Sequence, residues 1–111
     1  MRDEINKYLT DIINSIEGID IHLGHKRDFS FYSSNVTVKR AVERELEIIG
    51  EAVSRILKTD SNFPISYART IVDLRNRVIH AYDAIDDNLM WRIIIKDIPI
   101  LKEEIENLLK P

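Results

Sequence analysis

Apolar residues recur every three or four positions from the start of the chain. Ile5, Tyr8, Leu9, Ile12, Ile13 and Ile16 form a helical stripe. A first helix is therefore predicted from Asp3 to about Glu17, with Asp3 and Glu4 in its first turn, where acids suit the positive end of the helix dipole. Gly18 and Gly24 bracket Ile19, Ile21 and Leu23, a short apolar stretch that fits either another helical turn or a bend. A polar connection follows from His25 to about Asn35, and Phe29, Phe31 and Tyr32 within it are expected to tack it to the core. The second helix has the most regular pattern. Val38, Ala41, Val42, Leu46, Ile49, Ala52, Val53, Ile56 and Leu57 make an unbroken stripe, and Lys39, Arg40, Glu43, Arg44, Glu47 and Arg55 take the other side. Residues 58–62 end it, and Phe63-Pro64 reads as a turn into a shorter helical stretch from Ile65 to about Tyr82. After a polar break from Asp83 to Asn88, Asp86 or Asp87 is placed to cap a last helix from Leu89 to Leu109. Its stripe is Met90, Ile94, Ile98, Leu101, Ile105 and Leu108. Pro99 lacks a backbone donor, so a bend or restart is predicted near Asp97. The pattern describes an all-α chain: four or five helices in an antiparallel bundle.

Composition narrows the function classes. A chain of 111 residues suits one domain, 1–111. It holds no cysteine, which excludes disulfides, thiolate metal sites and cysteine nucleophiles together. No apolar run exceeds three residues, as in Ile93-Ile94-Ile95, so no membrane span is expected. The start, Met1-Arg2-Asp3-Glu4, turns acidic at once without an apolar stretch, so no signal peptide is expected and the location is read as cytoplasmic. The formal net charge of −3 arises in residues 83–111, which carry seven acids against four basic side chains. The stretch before it, 59–82, is mildly basic, with three arginines against two acids. An RNA contact would thus be small and local rather than a broad basic face.

The chemistry concentrates in Leu74-Arg75-Asn76-Arg77-Val78-Ile79-His80-Ala81-Tyr82-Asp83. Two guanidiniums, an amide, an imidazole and a phenol occupy eight positions, the kit for cleaving a phosphodiester without a metal. Histidine can take the proton from an RNA 2′-hydroxyl or give one to the leaving 5′-oxygen, because its pKa lies near neutral. Arginine can hold two phosphate oxygens in a fork while charge builds on phosphorus. Geometry constrains the idea. At about 100° per residue, Arg75 and His80 lie roughly 140° apart around an ideal helix, whereas Arg75 aligns with Tyr82 and Asn76 with His80. Three solutions are open: the helix ends before His80, long side chains reach around a rim, or a second subunit supplies what one lacks. Arg77 can contact RNA phosphate or pair with Asp73 four positions earlier.

Arg75-(four residues)-His80-Ala81-Tyr82 resembles the R-x4-6-H-x-Y motif of the HEPN superfamily, and specifically of the HepT-like toxins. Residues 40–52, RAVERELEIIGEA, are similar to that family's second-helix signature. Arg2-Asp3 with Tyr8-Leu9-Thr10-Asp11-Ile12 resembles its opening, and Asp86, Trp91 and Asp97-Ile98-Pro99-Ile100-Leu101 its ending. The resemblance implies a HEPN-like helical homodimer with paired motifs lining a cleft at the dimer interface. It implies a metal-independent endoribonuclease toxin without a cofactor, cutting RNA, with tRNA the expected substrate. Its partner would be an MntA-like antitoxin of nucleotidyltransferase fold. Carried over by position, Arg75 and His80 would be catalytic, Asn76 a supporting polar contact, and Tyr82 the acceptor of an AMP transferred by the antitoxin. Ala81 stands where many relatives have Gly and Tyr67 where many have Trp; these departures bear on packing more than on activity. The alternative is a catalytically silent subunit that presents substrate to the nucleotidyltransferase or regulates it, and it needs no acid/base pair at Arg75 and His80.

Other residues carry blander readings. Gly50 in mid-helix costs roughly 1 kcal/mol against Ala and points to a close helix–helix approach, the dimer contact being one candidate. Glu51 is either a solvated side chain or a partner for the arginines. His22 and His25 have the spacing of a metal pair but no evident third or fourth ligand, so no metal is expected. Trp91, with Leu89, Met90 and Ile94 at helical spacing, is expected in the core rather than under a base.

Overall fold

The computed structural model describes residues 2–65, 67, 70, 73 and 86–110. Among these residues the ordered secondary structure is helical throughout: α1 (Arg2–His22), α2 (Phe29–Ser34), α3 (Val36–Thr59), α4 (Asp87–Arg92), a π-helical turn (Ile93–Asp97) and α5 (Ile98–Leu109). No helix among the described residues is long and apolar enough to cross a membrane.

Helix α1 runs straight through Gly18, five residues past the predicted stop. The reason is tertiary. A Cβ at Gly18 would run into the Glu45 carboxylate of α3, which occupies that space and pairs with His22 Nε2 at 3.0 Å. Gly24 is the real terminator. With φ +68° it takes the left-handed conformation glycine tolerates, the His25 N–H reaches back to the Asp20 carbonyl (2.9 Å), and the Gly24 N–H reaches that of Ile21 (2.9 Å). The polar connection contains its own short helix, α2, capped by the Asp28 side chain on the Phe31 N–H (3.2 Å). Of its three aromatics Tyr32 is fully buried, Phe29 packs edge-on against Trp91, and Phe31 is exposed.

Helix α3 begins two residues earlier than the apolar stripe predicts, because Asn35 accepts from the Val38 N–H (3.0 Å) and sets the cap there. Val42, Leu46, Ile49, Val53 and Ile56 are buried as predicted. On its outer side, Arg44–Glu47 and Glu51–Arg55 pairs offset the like-charged neighbours. Gly50 is buried within the chain. Helices α1 and α3 are antiparallel: the C-terminal Gly18 lies by Glu45, while Tyr8, near the N-terminus, shares a shallow groove with Arg55.

The last helical run restarts where Pro99 requires it. Proline in the first turn of α5 can donate no hydrogen bond, and the backbone accommodates it through one π-turn in which the Ile98 N–H reaches the Ile93 carbonyl. The wider turn brings Ile93 as well as Ile94 into the core, beside the predicted Met90, Ile98, Leu101 and Ile105. Leu108 is partly buried at the end of this stripe. Arg2 ties α5 to α1 by donating to the Leu108 carbonyl while its guanidinium lies over Phe63. The core is thus one cluster from α1, α2, α3 and the 87–109 run, joined by Phe63 and Ile65.

Candidate functional site

Arg75, Asn76, Arg77, His80 and Tyr82 lie outside the described residues, as does most of the third helical stretch predicted from Ile65 to Tyr82. What the structure defines is where the chain approaches this segment and where it leaves. On the approach, Phe63 and Ile65 are buried, and the Tyr67 N–H donates to Glu104 Oε1 of α5 (3.4 Å). On the exit, Asp86 caps α4 by accepting from the N–H groups of Asn88 (2.9 Å) and Leu89 (3.4 Å). The cap predicted at either of two aspartates is therefore Asp86. Asp87 instead pairs with Lys39 Nζ of α3 at 3.2 Å, in a half-buried setting. One turn on, Trp91 lies against both Phe29 and Tyr32, so it belongs to the packing as predicted.

The electrostatics at this exit are acidic and enclosed. Burial pushes the Glu43 carboxyl above its ordinary range, with Glu47 and Asp87 adding to the shift and Lys39 and Arg40 opposing it. Burial likewise pushes the Tyr32 phenol up, with Asp87 and Glu43 reinforcing the effect. Lys39 pairs directly with one of these acids, Asp87. It ties Asp87, the first residue of α4, to the N-terminal half of α3.

A second constellation lies at the C-terminal end of α1, and the sequence pattern did not reveal it. A cleft of about 470 Å³ opens between the end of α1, the turn after it and the π-turn, with Ile21, Ile94, Ile98 and Pro99 among its apolar walls. Asp20 organises its rim, pairing with Arg27 (2.8 Å) and with His25 Nδ1 (2.6 Å). Those hydrogen bonds, from Arg27 first and His25 second, hold the Asp20 carboxyl below its ordinary value. His25 itself sits at φ +61°, in the left-handed region that is uncommon for non-glycine residues and that histidine enters more readily than most. Gly24 and Pro99 were the sequence signals for this cleft, but they lie far apart along the chain. The two histidines are divided between different carboxylates, His22 with Glu45 and His25 with Asp20, and no cluster of metal-ligating residues occurs among the described residues.

Comparison with known proteins places the chain. The family model described as "Ribonuclease HepT-like" matches residues 5–108. The chain is similar to "Putative RNase MJ1380" of Methanocaldococcus jannaschii, 37% identical over 93% of this chain and 94% of that protein. It is also similar to "Probable ribonuclease HepT" of Thermococcus cleftensis, 33% identical over 99% of this chain and 100% of that one. A third relative, "Putative RNase MJ0125" of Methanocaldococcus jannaschii, is 32% identical over 96% of this chain and 92% of its own length. No solved structure matches. An all-helical bundle whose sequence matches across nearly its whole length, Arg75 to Tyr82 included, belongs to the HepT-like ribonuclease family, a ribonuclease family of the HEPN type.

Proposed function

We propose that this chain is a metal-independent endoribonuclease and the toxin of a toxin–antitoxin pair, with Arg75 and His80 as its catalytic residues. The observation that carries the reading is that Arg75-x4-His80-x-Tyr82 falls inside a family match running from residue 5 to residue 108. The imidazole of His80 takes the proton from the 2′-hydroxyl, and the 2′-oxygen bonds to phosphorus as the bond to O5′ breaks. A protonated imidazole returns a proton to O5′, leaving a 2′,3′-cyclic phosphate and a 5′-hydroxyl. Arg75 holds the phosphate oxygens as charge builds on them, and Asn76 supports that contact through its amide. Arg77 adds a backbone contact to the RNA.

A homodimer completes this site. Arg75 and His80 do not share a face of one ideal helix, and two copies meeting at a cleft supply two histidines, one as base and one as acid. tRNA is the substrate proposed first. Control falls to a nucleotidyltransferase-fold antitoxin of the MntA type: the Tyr82 phenol oxygen attacks the α-phosphorus of ATP, pyrophosphate leaves, and the AMP ester blocks the cleft. The test is induced expression without a partner, comparing the natural sequence with His80→Ala and Arg75→Ala. Growth arrest by the natural sequence alone is expected, with RNA ends carrying 2′,3′-cyclic phosphate and cleavage by purified protein undiminished in EDTA. Arrest that survives both substitutions refutes the catalytic pair. A folded dimer that neither arrests growth nor cuts RNA identifies the silent partner subunit instead.

A further inference from the structure

The cleft at the end of α1 joins an apolar surface to a charged rim, and its walls come from opposite ends of the chain. The exposed apolar surface is supplied by Ile21, 62% accessible, and by Pro99, with Ile94 and Ile98 buried beneath them. Its volume of about 470 Å³ falls within the range of small-molecule sites. Two cations, Arg27 and Lys102, two acids, Asp20 and Glu17, and the His25 imidazole surround it. Asp20 is engaged by both His25 and Arg27, while Lys102 and Glu17 on the rim make no ion pair among the described residues. Arg27 contacts Asp20 and, at 3.5 Å, the Lys26 carbonyl through the same terminal nitrogen, Nη1, and its Nε and Nη2 make no hydrogen bond among the described residues. Two irregularities of the backbone meet here: the left-handed His25 and the π-turn that precedes Pro99. Both kinds of feature concentrate at functional sites.

We propose that this cleft binds one nucleotide of a single-stranded RNA, outside the scissile step. The base lies on Ile21 and Pro99, Lys102 and Arg27 hold its phosphate, and the Glu17 carboxylate accepts from an exocyclic amine of the base. Adenine, cytosine and guanine carry such an amine; uracil does not. The inference rests on the ribonuclease reading for the choice of RNA, but its residues are separate from the motif at 75–82.

The experiment follows isoleucine methyl resonances of the full-length His80→Ala chain, in which the oligonucleotide stays intact. Titration with oligo(A) shifts the methyls of Ile21, Ile94 and Ile98, and oligo(U) shifts them several-fold less. Lys102→Gln weakens oligo(A) binding several-fold and lowers the slope of log affinity against log salt by about 0.7, the loss of one phosphate contact. Lys7→Gln removes the same charge about 13 Å along α1 from Ile16, the first α1 residue of the cleft, and leaves the methyl shifts as they were. Glu17→Gln narrows the difference between oligo(A) and oligo(U). Cleavage by the natural chain with no shift at these methyls overturns the cleft and leaves the ribonuclease reading standing. Methyl shifts without any cleavage by the natural chain uphold the cleft and overturn that reading. Shifts produced by AMP but by neither oligonucleotide overturn the assignment to RNA.

Discussion

Gly18 offers a substitution whose sign is set by a side chain 27 positions away. For an exposed helical glycine, replacement by alanine is worth about 1 kcal/mol of stabilisation. At Gly18 the new methyl meets the Glu45 carboxylate, the far end of a flexible side chain, which must swing aside. Doing so breaks its 3.0 Å pairing with His22 Nε2, in a setting where the two side chains are 17% and 34% exposed. A half-buried hydrogen bond to a charged group contributes about 1–2 kcal/mol, discounted here for the solvent that reaches His22. The two effects nearly cancel, so Gly18→Ala is expected to change stability by no more than about 1 kcal/mol, toward destabilisation. In a Glu45→Ala background neither the obstacle nor the pair exists, and the same substitution is expected to recover about 1 kcal/mol. The coupling between the two sites is then about 1–2 kcal/mol, well above what independent positions show. Urea unfolding at fixed protein concentration, read through the single Trp91 packed on Phe29 and Tyr32, measures all four corners of the cycle. Additive behaviour, with Gly18→Ala stabilising by about 1 kcal/mol in both backgrounds, would refute the claim that the carboxylate fills the gap.

Three further outcomes are expected. Tyr32 stays neutral in the folded chain above the pH at which the unfolded phenol ionises, so from about pH 10 upward the natural chain loses about 1.4 kcal/mol per pH unit relative to Tyr32→Phe; parallel stability curves would contradict this. Glu43 has a folded pKa raised above its unfolded value, chiefly by burial, so its charge weakens the fold at neutral pH. Glu43→Gln is expected to be the more stable form at pH 7, and the gap should close as pH falls below the unfolded pKa, where both states are protonated; a gap that persists at low pH counts against the charge as its cause. Asp86→Ala removes the cap of α4 and is expected to cost about 1 kcal/mol in chemical denaturation, whereas Asp86→Asn should cost a few tenths, and equal losses would point away from capping.

How much of this was legible in the sequence depends on whether the deciding interaction is local. The α3 stripe, the Asp86 cap and the restart at Asp97 each follow from residues within a few positions of one another, and each stands in the structure as predicted. The run of α1 through Gly18 was only half legible: the sequence left a further helical turn and a bend equally open, and what decides between them is the Glu45 side chain of another element filling the space beside the glycine. α2 was hidden for a different reason: six residues are too few to establish a helical period, and what fixes this helix is the Asp28 cap together with the burial of Tyr32 between α3 and Trp91. At the candidate site, residue types and spacing in 75–82 left three geometries open, and the roles of Arg75, His80 and Tyr82 came from the resemblance to the HepT-like motif. The Lys39–Asp87 tie that holds the exit from that segment joins positions 48 apart and had no sequence signal at all.

The described backbone departs from regular helix in ways that share one logic. Gly24 allows α1 to stop by a left-handed turn, and Pro99 forces a π-turn because it cannot supply an N–H to the carbonyls behind it. Either residue alone would simply shape an end or a bend. Antiparallel packing of α1 against the 87–109 run, with Arg2 on the Leu108 carbonyl at one end, brings both to the other end of the same helix pair. There Ile21 is exposed and lines a cleft with Ile94, Ile98 and Pro99. The regular parts of α1, α3 and α5 are committed to the core, with Leu9, Ile12, Ile49 and Leu101 wholly inaccessible. The cleft proposed for the RNA nucleotide therefore lies at the end of the bundle where the glycine and the proline interrupt the regular pattern.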